Sequence, residues 1–414
     1  MKIVQLAAGN LESGAGQGAR WLHRALLSEG VDSELYGSRI PYGNAVKEFR
    51  FDGVSELWLK ILSRLDRLPL KMRNIKPVRN YSSGVSGVSL KGFLRRTNAD
   101  ILHLHYINTG YVDIRSLKNA GVPIVWTFRD MWPFTGGCHY SWDCCRYLDK
   151  CGSCPILSSS NENDISRKYW RRKFLHYSEI DAFYPVAISP WLQKCSQSAS
   201  ALKGVKVDMI WNGVDTEHFQ PIDRIEARKT LGLPIGKPIL LLGASRVHSI
   251  LKGYGELLNA ISLVRNNSAE NFDVVRFGAL GDGCKEAGDV IDLGYINSRN
   301  HLNLVYAAAD VFLAPSPQEA FGKTIVESLA SGTPVVVFGG SGSEEIVNSK
   351  DIGEVVESGD YSAVVKKGLD LIKRSTVAGS MIREKCVSRS VDFSTSLCAL
   401  SYMGLYKKIL FKNG

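Results

Sequence analysis

The chain has 414 residues, of which 44% are hydrophobic and 22% are charged. This composition is typical of a soluble globular protein, and the length predicts two domains because single cores seldom grow beyond about 250–300 residues. No apolar run approaches the roughly 18 residues that a membrane-spanning helix needs, so no integral membrane segment is expected. The net charge of +10 lies in the first half: residues 1–200 contain 27 Lys and Arg against 17 Asp and Glu, whereas residues 201–414 contain 24 of each. We therefore expect the first half to meet an anionic surface or substrate.

The chain opens with a short apolar stretch, residues 3–8, that indicates a first strand and not a signal peptide. We therefore expect a cytoplasmic protein whose nine cysteines stay reduced unless they bind metal. In the loop that follows, the spacing Gly14-x-Gly16-x-x-Ala19 imitates a dinucleotide-binding fingerprint, and Glu34 follows at about the expected interval. This pattern makes a nicotinamide-dependent oxidoreductase one alternative.

Residues 53–96 combine apolar and basic side chains. The apolar residues recur at helical spacing: Leu57, Trp58, Ile61, Leu62, Leu65 and Leu68. The basic residues interleave with them or follow them: Lys60, Arg64, Arg67, Lys71, Arg73, Lys76 and Arg79. The pattern predicts an interfacial helix that contacts the cytoplasmic membrane surface, with a helix packed on its own domain as the alternative. No recognised nucleic-acid-binding module accompanies it, so no nucleic-acid partner is expected.

Two histidines end the next predicted strand, residues 99–108. His103 and His105 lie on one side of it, because successive side chains of a strand alternate between faces. Catalytic groups in doubly wound folds lie at the carboxyl ends of strands, so His105 is a candidate catalytic residue, with a buried core histidine as the alternative. The strand after it, residues 122–128, ends at Arg129 and Asp130.

Cysteines cluster directly after this strand. The spacing C-x5-C-x6-C-x2-C can close a tetrahedral structural zinc site formed by Cys138, Cys144, Cys151 and Cys154. A reduced thiol cluster without metal and a redox disulfide are the alternatives.

The second half alternates strands with helices, which is typical of an α/β fold with parallel sheets. Arg246 and Lys252 lie on the loop after an apolar strand. Residues 315–338 predict a loop, a turn, a helix and a buried strand, with carboxylates at Glu319 and Glu327. The backbone N–H groups at the start of this helix attract anions, and the carboxylates can accept hydrogen bonds from hydroxyl groups. This combination suits a sugar nucleotide.

Three stretches resemble one known family. Residues 315–338 resemble the E-x7-E motif of retaining GT-B glycosyltransferases of family 4, and residues 209–221 resemble the crossing between that family's two domains. Residues 122–155 are similar to the subgroup that assembles bacterial exopolysaccharide, O-antigen and colanic acid. The resemblance implies an α/β fold of the GT-B type, with two doubly wound Rossmann-like domains facing across a cleft.

The implied domain boundaries follow from this resemblance. Residues 1–215 would form the acceptor-side domain, residues 216–395 the nucleotide-sugar-binding domain, and residues 396–414 a helix that packs back on the first domain. The resemblance also implies a set of site residues. Those expected to bind the donor and its diphosphate are Arg246, Lys252, Phe321, Gly322, Lys323, Thr324, Glu327, Gly14 and Gly16. The expected catalytic residues are Glu319, His105 and Asp130.

The implied activity is transfer of a hexose, with retention, from a UDP- or GDP-linked sugar to a lipid-linked oligosaccharide in bacterial surface polysaccharide biosynthesis. We expect no cofactor for catalysis and a peripheral location at the inner face of the plasma membrane. Arg129 departs from the subgroup, which has His before the Asp; arginine stays charged and cannot act as a base, although the leaving phosphate can. A GT-B-fold sugar-nucleotide epimerase and a donor-binding scaffold without catalysis are the alternatives.

Overall fold

The computed structural model describes residues 1–413, apart from residue 13 and segments 40–45, 51–54, 72–80, 247–251, 268–269 and 280–288. The chain divides into two compact units, Met1–Gly213 with Cys398–Gly414, and Val214–Leu397. Each unit is built on its own parallel sheet. Among the helices of the described residues, none combines the length and the apolarity that crossing a bilayer requires.

The first unit contains a seven-stranded sheet in the order β3-β2-β1-β4-β5-β6-β7. Its strands are β1 (Lys2–Asn10), β2 (Asp32–Arg39), β3 (Glu48–Arg50), β4 (Ile101–Leu104), β5 (Ile124–Phe128), β6 (Phe183–Ala187) and β7 (Asp208–Met209). Its helices, in chain order, are α1 (Gly14–Ser28), α2 (Glu56–Lys71), α3 (Lys91–Thr97), α4 (Ile165–Tyr177) and α5 (Pro190–Ser198). Strands β4 and β5 are buried throughout, as expected for parallel strands covered on both faces.

The second unit contains a six-stranded sheet in the order β10-β9-β8-β11-β12-β13. Its strands are β8 (Ile239–Arg246), β9 (Asp273–Ala279), β10 (Val290–Asp292), β11 (Val311–Ala314), β12 (Val335–Phe338) and β13 (Gly353–Val356). Its helices are α6 (Arg224–Leu231), α7 (Tyr254–Asn267), α8 (Arg299–Ala308), α9 (Lys323–Ala330) and α10 (Tyr361–Val391). Short 3₁₀ helices occur at Ile114–Asn119, Trp132–Phe134, Arg146–Leu148, Pro155–Leu157, Ser200–Leu202 and Glu344–Ile346.

The last helix, α11 (Thr395–Asn413), returns to the first unit from Cys398 onward. Its apolar side packs in the core cluster that contains Leu26 and Ile101. Its tyrosines also satisfy polar groups of the sheet: the Tyr406 hydroxyl lies 2.6 Å from His103 Nδ1, and the Tyr402 hydroxyl lies 2.6 Å from Thr127 Oγ1.

Both sheets reverse their winding direction at one point. Strand β1 lies between β2 and β4, and strand β8 lies between β9 and β11, so the chain proceeds outward on both sides of each first strand. In open α/β sheets the crevice at such a switch point, beyond the carboxyl ends of the strands, is where ligands bind. The residues that follow β1, β4, β8 and β11 therefore lie where this rule places a ligand-binding site.

Candidate active site

The strands at the switch point of the second sheet, β8 and β11, end at a cluster of polar side chains. Lys252 follows β8, and its Nζ lies 2.6 Å from Glu319 Oε2 and 3.4 Å from Ser316 Oγ. Both members of the ion pair are partly exposed, so water already weakens their attraction and a ligand can replace one of them. A cavity of about 20 Å³ adjoins the cluster and is lined by Lys252, Ser316, Thr324 and the ends of β8 and β11.

The loop that carries Glu319 is held from a different part of the chain. The backbone N–H of Gly342, in the glycine turn after β12, donates to the Glu319 carbonyl at 2.8 Å. The sequence indicates that turn from its glycines, but nothing in its spacing connects it with residue 319. The other predicted loop cation, Arg246, ends β8, and its side chain lies outside the part of the structure that is described.

Helix α9 begins at Lys323, directly beside this cluster. Its N-cap is Gly322 with φ +102°, and a side chain there would place its Cβ 2.6 Å from Ile325 Cδ1, so this turn requires glycine. Phe321 packs edge-to-face on Phe393, which makes its ring part of the core and leaves the backbone as its contribution to the helix start. Phe321 therefore lies before the helix and not within it.

Glu327 lies one turn into the helix and faces the interior. Its Oε2 accepts a hydrogen bond from the Tyr306 hydroxyl at 3.1 Å, and its Oε1 lies 3.6 Å from Lys323 Nζ. Burial raises the pKa of this carboxyl, while Lys323 and Tyr306 lower it. Glu327 thus has a fixed orientation, with one oxygen engaged by the core and the other facing a cation.

The predicted glycine loop of the first unit follows β1 and forms the start of α1. Gly14 has φ +53° at the first position of the helix, and Gly16 is buried. Gly18 leaves room for a neighbour, since a Cβ there would collide with Arg129 Nη1 and lie 3.1 Å from Asn212 Oδ1. The loop therefore packs against a charged side chain at the end of β5.

Arg129 is held by two hydrogen bonds. Its Nη1 donates to Asn212 Oδ1, and its Nη2 donates to His105 Nδ1 at 3.2 Å. Because Nδ1 accepts, His105 Nε2 carries the proton and donates to Gln5 Oε1 at 2.8 Å. Burial, and then the nearby His103 and Arg129, lowers the pKa of His105 well below its usual range.

This geometry differs from the expectation of a catalytic His105. The ring is buried and both of its nitrogens are engaged, so the arrangement favours a role in positioning Arg129 over proton transfer. The physical reason is that His105 directly follows β4, an inner strand of the sheet. Its side chain therefore meets neighbouring elements before it meets solvent.

Asp130 is also engaged on both oxygens. Oδ1 accepts from the Trp132 backbone N–H at 2.9 Å, and Oδ2 lies 2.7 Å from His139 Nδ1. His139 Nε2 in turn lies 2.9 Å from Ser82 Oγ, and all three side chains are buried. The series Asp130–His139–Ser82 ties the tip of β5 to a segment about fifty residues earlier, which the sequence did not reveal.

The dinucleotide-like spacing near the N-terminus does not create a ribose site. Glu34 pairs with Val4 near the start of β2, and its Oε1 lies 2.9 Å from Lys2 Nζ. A ribose-binding carboxylate belongs at the carboxyl end of that strand. The position of Glu34 therefore disfavours the nicotinamide alternative.

Comparison with known families agrees with these features. The family described as Glycosyltransferase Family 4 matches residues 13–218, and the one described as Glycosyl transferases group 1 matches residues 237–374. The chain belongs to glycosyltransferase family 4. The first match contains the glycine loop and Arg129, and the second contains Lys252, Glu319 and Glu327. The family predicted from residues 122–155 and 315–338 is thereby confirmed.

Relatives of this family 4 chain extend over its full length. A putative colanic acid biosynthesis glycosyl transferase, WcaC of Escherichia coli, is 23% identical and covers 99% of this chain and 100% of its own. Among solved structures, a glycosyltransferase from Rickettsia africae aligns with a TM-score of 0.68 at 17% identity over 99% of this chain and 98% of its own. Anabaena HepE, solved with UDP and glucose, aligns with a TM-score of 0.61 at 17% identity over 98% and 99%. The predicted α/β fold of the GT-B type is confirmed.

The predicted zinc ligands of this family 4 chain all belong to the first unit. Cys138, Cys144, Cys151 and Cys154 line one cavity of about 20 Å³, and burial raises the pKa of Cys138 and of Cys151 to about 12. The Thr135 hydroxyl donates to the Cys138 carbonyl at 2.6 Å, and the Gly136 N–H donates to the Cys151 sulfur. Within the described residues, no three Cys, His, Asp or Glu side chains are arranged to hold a metal ion. The four thiols share one cavity without the arrangement of a metal site, so the structural zinc stays a prediction.

Proposed function

We propose that the protein is a retaining glycosyltransferase that moves a hexose from a UDP- or GDP-linked sugar to a lipid-linked oligosaccharide in bacterial surface polysaccharide synthesis. The observation that carries this proposal is the Lys252–Glu319 pair beside the start of α9, at the switch point of the second sheet. A cation and a helix N-terminus match the anionic diphosphate of a sugar nucleotide, and a carboxylate at the same point matches the hydroxyl groups of its sugar.

Donor binding would exchange the partners of this pair. A diphosphate is a stronger partner for Lys252 than one carboxylate, because it carries more charge and more acceptor oxygens. Lys252 would turn to the diphosphate together with Arg246 and the backbone at the start of α9. Glu319, released from Lys252, would accept hydrogen bonds from the sugar hydroxyls. Glu327 would accept from the ribose of the nucleotide.

The reaction would break the bond between the anomeric carbon and the diphosphate oxygen and form a bond from that carbon to the acceptor oxygen. The acceptor proton would pass to the departing phosphate oxygen, so no side chain need act as the base. Stabilising the negative charge that develops on the diphosphate would then be the main catalytic contribution of Lys252 and of the helix start. A buried His105 and a permanently charged Arg129 are compatible with such a mechanism.

A single series of measurements tests the proposal. A panel of UDP- and GDP-sugars is scored by thermal shift, and each stabilising donor is then followed by NMR for slow hydrolysis. We expect one donor class to stabilise the protein and to release sugar first in the anomeric configuration of the donor. Release in the opposite configuration would contradict retention.

The same series separates the alternatives. An epimerase would return a nucleotide sugar with an altered sugar and release no free sugar. A scaffold would bind the donor without turnover, even with lipid-linked oligosaccharide added. No binding by any nucleotide sugar would overturn the proposal as a whole.

A further inference from the structure

Helix α2 presents three faces of different chemistry. The first face is buried and consists of Leu62, Asp66 and Leu70, which recur every four residues. Since successive residues of a helix turn by about 100°, these three lie in one narrow stripe. The sequence pattern had placed Leu62 with the other apolar residues, but the structure separates it from them.

The buried stripe fixes the orientation of the helix. Asp66 Oδ1 accepts from Ser83 Oγ at 2.9 Å and from the Val85 N–H at 3.1 Å, and the Leu62 carbonyl accepts from Ser86 Oγ at 2.8 Å. Leu70 packs in an apolar cluster with Tyr81 and other residues of the first unit. Rotation about the helix axis would break these contacts, so the remaining faces point outward.

The second face is apolar and exposed. It contains Leu57, Trp58, Leu65 and Leu68, with Leu57 67% and Trp58 50% exposed. Single exposed apolar side chains are common on protein surfaces, but four on one helix face form a continuous patch that water solvates poorly.

The third face is cationic. Lys60, Arg64, Arg67 and Lys71 follow one another at spacings of four, three and four residues, and all are exposed. Lys60 pairs with Glu56 at 2.9 Å. Among the described residues, Arg64, Arg67 and Lys71 form no ion pair, so three charges of this stripe have no protein counterion there. The stripe runs alongside the apolar face for the length of the helix.

We propose that this side of helix α2 docks the protein on an anionic lipid bilayer. The apolar face would enter the headgroup region while the helix lies in the plane of the surface, and the cationic stripe would bind lipid phosphates from its flank. A second copy of the chain or a neutral protein would cover the apolar face but would leave the cations without partners. Charge complementarity therefore selects an anionic bilayer. This docking requires neither donor nor acceptor, so it stands apart from the transfer reaction.

The test is cosedimentation of the full chain with two kinds of vesicle, phosphatidylcholine alone and phosphatidylcholine with about 30% phosphatidylglycerol, because an anionic surface attracts nearby basic residues. We expect binding to the anionic vesicles that weakens with salt. Replacing Lys60, Arg64, Arg67 and Lys71 together by Gln should lower the partition coefficient on the order of a hundredfold. The double variant Trp58→Ser/Leu65→Ser should lower it on both vesicle types.

Matched controls separate position from composition. One control removes the same charge from the second unit by placing Gln at four exposed lysines, Lys229, Lys237, Lys366 and Lys367. The other control, Leu263→Ser/Val377→Ser, removes exposed apolar surface from that unit. Both controls should bind like the wild type, and thermal unfolding should show that all variants fold. Equal binding by wild type and α2 variants would overturn the proposal. So would a wild type that ignores vesicles but forms a dimer that Trp58→Ser/Leu65→Ser dissociates. Because no nucleotide is present, loss of vesicle binding and loss of transferase activity are separate results.

Discussion

The candidate polar residues of the two units differ in how completely their side chains are hydrogen-bonded. In the second unit, Lys252 and Glu319 are partly exposed and bind mainly each other beside a cavity. In the first unit, His105 and Asp130 are buried and bonded on every side-chain atom that can bond. A partly exposed ion pair can exchange a partner for a ligand, whereas a buried network whose hydrogen bonds are complete cannot bind a ligand without breaking one of them. The difference indicates that substitutions in the second unit should change turnover first and those in the first unit should change stability first.

The largest expected effect is on turnover in the second unit. Glu319→Gln keeps the shape of the side chain but removes its negative charge. That charge pairs with Lys252 and, in the proposed mechanism, strengthens the hydrogen bonds from the sugar hydroxyls. We expect transfer to fall by about a hundredfold to a thousandfold, the usual cost of losing one charge-stabilising group, with the unfolding temperature nearly unchanged. Initial rates with a saturating donor measure the effect. Glu357→Gln, at an exposed position, is the matched control and should leave the rate intact. A Glu319→Gln enzyme with near-normal turnover would remove this residue from the mechanism.

The next largest effect is on the stability of the first unit. Asp130→Ala leaves the Trp132 N–H and His139 Nδ1 without their acceptor, which should cost about 2–4 kcal/mol in the free energy of unfolding. All eight tryptophans lie in residues 1–213, so their fluorescence in urea follows this unit alone. The exposed Asp143→Ala is the control and should change little. If Asp130→Ala unfolded like the wild type, the comparison between the two units would lose its basis.

A smaller effect is expected from pH, again in the first unit. Burial lowers the pKa of His103 and of His105 well below 6.5, so below that pH the unfolded chain binds protons that the folded chain does not. The free energy of unfolding must therefore decrease as the pH is lowered through this range, by about 1.4 kcal/mol for each histidine between pH 7.5 and pH 5.5. Urea unfolding followed by tryptophan fluorescence at the two pH values measures it. His105→Gln should reduce the difference, because it removes one of the two buried rings. A pH-independent stability would show that these rings are not neutral in the fold.

Much of the fold could be predicted from the sequence because it depends on short-range patterns. The apolar runs of β5, β8 and β12 and the glycine before α9 indicate the alternation of strands and helices without knowledge of the partners. The α/β class and the family follow from such local patterns. The position of Glu319 beside an anion-attracting helix start is local in the same sense, since it lies only four positions before Lys323.

The contacts that decide which residues are available could not be predicted, because they join distant segments. His105 lies at a strand end as expected, but its burial depends on Gln5, one hundred residues earlier. The Glu319 carbonyl accepts its hydrogen bond from the Gly342 N–H, which lies beyond β12. His139, the partner of Asp130, is hydrogen-bonded to Ser82. Helix α2 was indicated by its spacing, yet contacts with later residues, such as that of Asp66 with Ser83, are what separate its buried face from its exposed apolar face.

The smallest expected effect separates the two carboxylates of the second unit. Glu327→Gln retains an oxygen for the Tyr306 hydroxyl but loses the charge opposite Lys323, so stability should change by less than about 1 kcal/mol. If Glu327 accepts from the ribose, the affinity for UDP or GDP alone should fall by about tenfold, the worth of one charge-assisted hydrogen bond. Calorimetric titration with the free nucleotide measures this change. Glu319→Gln should leave that affinity nearly unchanged, because its proposed partner is the sugar. Equal loss of nucleotide affinity in both variants would mean that the two carboxylates act through one shared contact, and the division of roles between sugar and ribose would have to be abandoned.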